Sequence, residues 1–227
     1  MSRPEIVILG AGGAALELAE ALVHSGRAGM PLRVLGFLDD DPQAVGLPEL
    51  GLGGRLGALG DAQRLAQAPQ VRFMLGIVSH RNMRRREAIA QGLGLPAERF
   101  HTFVHPGAMV SATATLGPGA AVMARCMVGP HARIGEHVWL SMGSCCGHDA
   151  SVGACAVVAP NATLSGRVRI GAGAYIGAAS AIAPDVTVGE RALVGIGAVV
   201  DAVADGAMVF GNPARVVQRR QAGRAVR

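Results

Sequence analysis

Two short stretches of this sequence combine residue types that can do chemistry. The first is Cys145-Cys146-Gly147-His148-Asp149. A histidine titrates near neutrality, and a neighbouring carboxylate raises its basicity, so the pair is suited to moving a proton. The second is Gly10-Ala11-Gly12-Gly13-Ala14-Ala15. A glycine loop between a strand and a helix can bring backbone N–H groups to a diphosphate. Asp39 or Asp40, closing the next apolar run, could accept hydrogen bonds from a ribose or a base. The remaining candidates are weaker. Cys126, Cys145, Cys146 and Cys155 have no CxxC spacing and no matching zinc pattern of histidines, so they read as small core thiols. Arg81, Arg84, Arg85 and Arg86 read as the solvated face of a helix, with a phosphate contact as the alternative. His131 and His137 lie six residues apart, which sets them on different faces of the repeat described below.

The elements that must position these groups follow two different periods. Up to about residue 103, short apolar strands alternate with helices: Ile6 to Leu9, Ala14 to His24, Leu32 to Leu38, Val71 to Val78, an Arg-rich helix over 82–92, and a last strand from Phe100 to Val104. Strand, glycine loop, helix, strand is the βαβ grammar of a parallel sheet. From Val104 to Val200 every sixth residue is aliphatic. Sixteen of these seventeen positions are Leu, Ile or Val, against about four by chance, and the exception is Cys146. Two places earlier stands a small residue or Val, and in nine hexads the place after the aliphatic is Gly. An unbroken six-residue period is the signature of a parallel β-helix. Three hexads close one triangular coil, the aliphatic fills the prism, and glycine relieves the corners. Residues 18 apart then stack in adjacent coils about 4.8 Å apart. Gly166 therefore lies one coil from His148, and a bare N–H there could face an oxyanion. Asp149 shares a column with His131, Arg167 and Asp185. It could orient His148, pair with Arg167, or do both.

Composition agrees with this architecture. Half of the 227 residues are hydrophobic but only 3% are aromatic, as a narrow prism requires. All 21 basic residues are Arg, and five of them fall in 214–227, equal to the whole net charge of +5. A nucleic-acid surface needs a basic stripe with stacking aromatics, which is missing. No apolar run reaches the roughly 18 residues of a membrane span, so no membrane insertion is expected. The start, with Glu5 inside a short apolar stretch, lacks a secretory signal pattern, and a cytoplasmic location is expected.

The hexad run resembles the left-handed hexapeptide-repeat acyltransferases. The Gly10 loop, Phe37-Leu38-Asp39-Asp40, the segment Cys146 to Gly153 and the closing Gly211-Asn212-Pro213-Ala214-Arg215 together resemble one family among them. It is the sialic acid O-acetyltransferase and UDP-bacillosamine N-acetyltransferase family, and the likeness runs over about residues 5–217. The resemblance implies a Rossmann-like α/β domain over 1–103 that holds a nucleotide-linked amino sugar. It implies a left-handed β-helix over 104–211 and a basic tail over 212–227. It implies a homotrimer with acetyl-CoA lying between subunits, and no metal. His148 would be the general base, Asp149 its supporter, and the Gly166 N–H the oxyanion donor. Acetyl-CoA contacts would fall near Val157, Ala178 and Ile196. Substrate contacts would fall at Gly12, Gly13, Ala14, Asp39 and Asp40, with another between Gly76 and Val78. The sequence departs from the family pattern at Ala14 and Val157, where members often have His, and at Ser141, where Asn is common.

The expected reaction is direct acetyl transfer to the amine of a nucleotide-linked sugar. Cys146 sits at an inward hexad position, so a covalent thiol route is not expected. Three alternatives stay in view: O-acetylation of a sialic acid, a non-catalytic β-helix scaffold, and, least favoured, a metal-dependent hydratase. Taken alone, the Gly10 loop would also fit NAD, or a turn that merely lets helix and strand pack closely.

Overall fold

The computed structural model describes residues 3–52, 54–81 and 83–219. The chain opens with β1 (Glu5–Leu9), α1 (Gly13–Arg27), β2 (Arg33–Leu38), β3 (Arg55–Gly57), α2 (Ala62–Leu65), β4 (Val71–Leu75) and α3 (Met83–Gly92). The four strands make one parallel sheet in the order β3-β2-β1-β4. Ile6 to Leu9 are all buried, a continuous apolar run rather than an alternating one, because such a sheet is covered on both faces. Helix α1 turns Ala15, Leu18, Ala19 and Leu22 inward, the spacing of a single helical face. Strand β3 lies in a stretch whose sequence shows no strand pattern; it is held by pairing along β2. The expected strand over 100–104 is reduced to Phe103–Val104, with Phe100 making a lone bridge to Phe73.

From Phe103 the backbone becomes a left-handed parallel β-helix of two-residue strands, one every six residues. Cys145 pairs with Thr163, and Ser151 with Arg169, so each coil takes 18 residues. The coils stack into three parallel sheets. Val128, Leu140, Cys146, Leu164 and Ile182 are buried inside the prism, as are the residues two places before them, Cys126, Val138, Ser144, Ala162 and Ser180. The glycine after each aliphatic has a different task from the one expected. It does not sit at the left-handed corners. Those corners fall two residues later and are taken by Asp149, Arg167, Asp185, His131 and His137 among others. The hexad glycines are needed for close approach instead. A Cβ on Gly117 would lie 2.6 Å from Glu136 N, and one on Gly147 would lie 2.7 Å from Gly166 N. At these positions the neighbouring coil comes too close for a side chain.

The β-helix closes on a hairpin. Ala207–Phe210 pairs antiparallel with Arg215–Arg219, so part of the segment expected as a tail from 212 forms a strand, after a turn over 211–214. Residues 220–227 lie outside the described residues.

The α/β sheet and the β-helix meet along the face that carries Phe103, Ala121, Trp139, Val157 and Leu193. These side chains alternate with the inward ones and therefore point out of the prism, yet all are buried. The only Trp thus packs in this seam and not in the prism. Glu87 of α3 bonds Arg191 at 3.0 Å, and the His80 ring meets Tyr175 edge-on at 5.8 Å. His137 is 6% exposed and packs edge-on against Phe100 at 4.4 Å.

Burial, and then the neighbouring Arg86 charge, push the His137 imidazole pKa down from 6.5 to about 4. The unfolded chain therefore takes up this proton at higher pH than the native one. The native state loses stability as pH falls from about 6.5 towards 4, by roughly 3 kcal/mol at most. His137→Asn keeps a residue that tolerates the left-handed backbone. Melting followed from pH 7 to pH 4 is expected to show a smaller drop in Tm for this variant than for the wild type. Parallel curves would show that His137 contributes nothing to the acid limb.

Candidate functional site

The imidazole of His148 stands on a corner of the β-helix, beside the left-handed residue Asp149 (φ 57°). Its Nδ1 and the Asp149 Oδ2 are 2.8 Å apart. The ring donates through Nδ1–H to the carboxylate, which leaves the lone pair on Nε2. This hydrogen bond holds the Asp149 carboxyl below the usual carboxylate range, with His131 and Arg167 adding to the effect. Arg167 does not compete for Asp149. Its guanidinium turns the other way and grips Asp185 with two bonds of 2.6 and 2.8 Å. Of the two roles open to Asp149 in the sequence, the structure realises the contact with His148.

Gly166 lies beneath the ring. A Cβ there would be 2.5 Å from His148 Nε2 and 2.8 Å from Cε1, so the imidazole occupies the space a side chain would need. Among the described residues the Gly166 N–H has no acceptor, while its carbonyl accepts from Asp185 N. An N–H without a backbone acceptor and the Nε2 of the imidazole thus belong to adjacent coils at one corner, the two kinds of group that can stabilise an oxyanion and take a proton. The nearby thiols are poor nucleophiles, since burial pushes both Cys145 and Cys146 up in pKa.

A second concavity, of about 240 Å³, opens at the end of the α/β sheet. Gly10, Gly12, Gly13, Ala14 and Asp39 line one side, and Gly76, Ile77, Val78, Ser79, Leu59 and Arg85 the other. Gly12 caps α1 without a side-chain bond, and no acid stands in the first turn. The Gly13 and Ala14 N–H groups are therefore open to an anion. Asp39 accepts from Ala11 N at 2.7 Å and from Asp41 N at 2.9 Å, which fixes the glycine loop. Asp40 does not line the cavity. Its carboxylate accepts from Leu59 N at 3.1 Å and pairs with Arg85 at 3.3 Å, so it tethers two wall residues.

The arginine helix differs from its expected solvated face. Arg85 borders the cavity, and Arg86 is buried with its guanidinium on backbone carbonyls. A charge closed between two units leaves no local signal in sequence. Of the residues expected to meet acetyl-CoA, Ala178 and Ile196 stack 18 apart in one outer column, and Ile196 is 79% exposed. Val157 is 0% exposed, closed in the seam, so it offers no side-chain surface. Ser141 accepts a hydrogen bond from the Trp139 indole at 3.0 Å. Among the described residues there is no cluster of three or more metal-ligating side chains. No described helix is long and apolar enough to cross a membrane.

No family model and no curated protein sequence matches the chain, but solved structures do. They and the fold define the class: this is a hexapeptide-repeat sugar acetyltransferase, an acyltransferase with acetyl-CoA as cosubstrate. The chain is similar to perosamine N-acetyltransferase from Caulobacter crescentus, solved with CoA and GDP-perosamine, at 27% identity and TM-score 0.82 over 94% of this chain and 97% of that one. That structure carries asparagine in place of one histidine. The chain is likewise similar to the acetyltransferase domain of PglB from Neisseria gonorrhoeae in complex with acetyl coenzyme A, at 28% identity and TM-score 0.80 over 96% and 100%. WeeI from Acinetobacter baumannii, at 23% identity and TM-score 0.76 over 93% and 99%, shares the fold.

Proposed function

We propose that the protein N-acetylates the amine of a nucleotide-linked sugar, with acetyl-CoA as donor. The observation that carries this reading is the imidazole Nε2 poised over side-chain-free Gly166, with Nδ1 tied to Asp149. The amine nitrogen attacks the thioester carbonyl. His148 Nε2 takes the amine proton, since an ammonium cannot attack. The oxygen of the tetrahedral intermediate, now anionic, faces the Gly166 N–H. The C–S bond then breaks, and the departing CoA sulfur takes up the proton from the imidazolium. Asp149 holds the ring in the required tautomer and stabilises its charged form.

Residues 1–103 are proposed to hold the nucleotide. The glycine loop and the start of α1 face the diphosphate, and Arg85 adds a cation to the same cavity. Residues 104–211 are proposed to carry the acyl-transfer site. Acetyl-CoA is proposed to lie along the outer column of Ala178 and Ile196, between the subunits of a homotrimer. Both substrates are cytoplasmic metabolites, which favours that compartment. The Caulobacter enzyme is solved with CoA and GDP-perosamine and the Neisseria domain with acetyl-CoA, which supports a CoA thioester and a nucleotide-linked sugar as the two substrates.

The test is a panel of UDP-, GDP-, CMP- and TDP-linked amino sugars with acetyl-CoA, read by thiol release and by mass spectrometry of the product. An alkali-stable amide on one nucleotide sugar is expected. An alkali-labile ester would overturn the reading in favour of O-acetylation, and equal rates on the free amino sugar would overturn the role of the nucleotide. No turnover and no thermal stabilisation by any CoA ester would favour a scaffold.

A further inference from the structure

Arg86 is 1% exposed, and among the described residues it meets no carboxylate. Its guanidinium donates instead to three carbonyls: Leu75 at 3.2 Å, Ile77 at 2.8 Å, and His137. A buried cation without a counter-charge is expensive, and an apolar side chain of similar volume usually packs at lower cost. What the guanidinium adds is geometry, a rigid planar fork with several donors.

The three carbonyls join two units of the molecule. Leu75 ends β4, and the residues after it, Gly76 to Ser79, form one wall of the cavity. That wall is pressed against the glycine loop. A Cβ on Gly76 would lie 2.5 Å from Ala15 Cβ, and one on Gly10 would lie 2.7 Å from Ile77 Cγ1. His137 belongs to the β-helix. The flanking residues of α3 repeat the pattern, with Arg85 on the cavity and Glu87 bonded to Arg191 of the β-helix. One turn of α3 therefore touches the cavity, its supporting wall and the β-helix at consecutive positions.

We infer that Arg86 is a positioning residue that sets the Gly76–Ser79 wall of the nucleotide cavity against the β-helix, and so governs the fit of the nucleotide sugar but not that of acetyl-CoA. The inference rests on the proposed nucleotide-sugar reading of that cavity.

The full-length wild type, Arg86→Met and Arg86→Lys are compared by calorimetric titration with UDP, GDP, CMP and TDP, and by KM and kcat for both substrates. Arg86→Met is expected to weaken nucleotide binding and raise the nucleotide-sugar KM by about tenfold or more, while the acetyl-CoA KM stays within about twofold. Arg86→Lys, a cation without the fork, recovers part of the loss. A purely structural role would instead lower Tm and the active fraction with both KM values unchanged, and that result overturns the inference. If Arg86→Met does not fold, Arg86→Lys carries the test: a one-sided rise in the nucleotide-sugar KM supports the inference, and unchanged or jointly raised KM values overturn it. A wild type that binds no nucleotide overturns the reading of the cavity and this inference with it. A wild type that binds, beside variants that bind equally well, overturns the inference alone.

Discussion

His148→Ala is expected to lower kcat for acetyl transfer by about three orders of magnitude, the middle of the range for general-base catalysis. KM for acetyl-CoA should change little, because the ring moves a proton and does not grip the donor. The fold should survive. His148 is 54% exposed at its side chain, and among the described residues its ring meets only Asp149 and the open ground above Gly166. Unchanged melting and circular dichroism with near-normal turnover would remove His148 from the chemistry. Asp149→Asn should give a smaller loss, since the amide keeps the shape but no longer favours the charged ring.

Gly166→Ala should also be damaging, by a smaller factor and for a different reason. The added methyl carbon would lie 2.5 Å from Nε2 and 3.1 Å from Cδ2 of His148. The obstacle is the far end of a rotatable side chain, so the backbone can stay and the ring must leave. A displacement of about 1 Å at a reacting atom costs about a hundredfold, and the methyl also crowds the N–H proposed to meet the oxyanion. The expected result is a fall in kcat of about that size, with Tm close to the wild type. Any substitution at Gly166 that leaves kcat intact would show that the space above it is not where the thioester carbonyl sits.

These expectations were unevenly visible in the chain. The β-helix is written in the sequence because its period is six and each position has one steric requirement, so seventeen hexads repeat one message. The stacking of Gly166 on His148 follows from the same arithmetic. The cavity was half visible: a glycine loop after an apolar strand is a local pattern, whereas Ser79, Leu59 and Arg85 join it only when separate loops converge. The seam was not visible. Trp139 and Val157 occupy outward positions by register, and their burial depends on a helix some 50 to 70 residues away in sequence. Arg86 reads as one more solvent arginine until that helix docks. The hexad glycines show a subtler gap. Their recurrence was plain, but sequence could not say whether they bend the chain or make room for its neighbour.

The 18-residue register of the coils also acts as a ruler for change. In a stacked repeat each coil touches only its neighbours. Adding or losing a whole coil away from His148 and Gly166 moves the ends of the rod but keeps every column on its own face. A change of six residues between them would satisfy the prism just as well, yet it would carry Gly166 round to another side and leave the imidazole above a different corner. The core is blind to that difference, and only the activity would register it. Length variation among such proteins should therefore come in whole coils outside this pair, and hexads should be gained or lost singly only where no column crosses the cut.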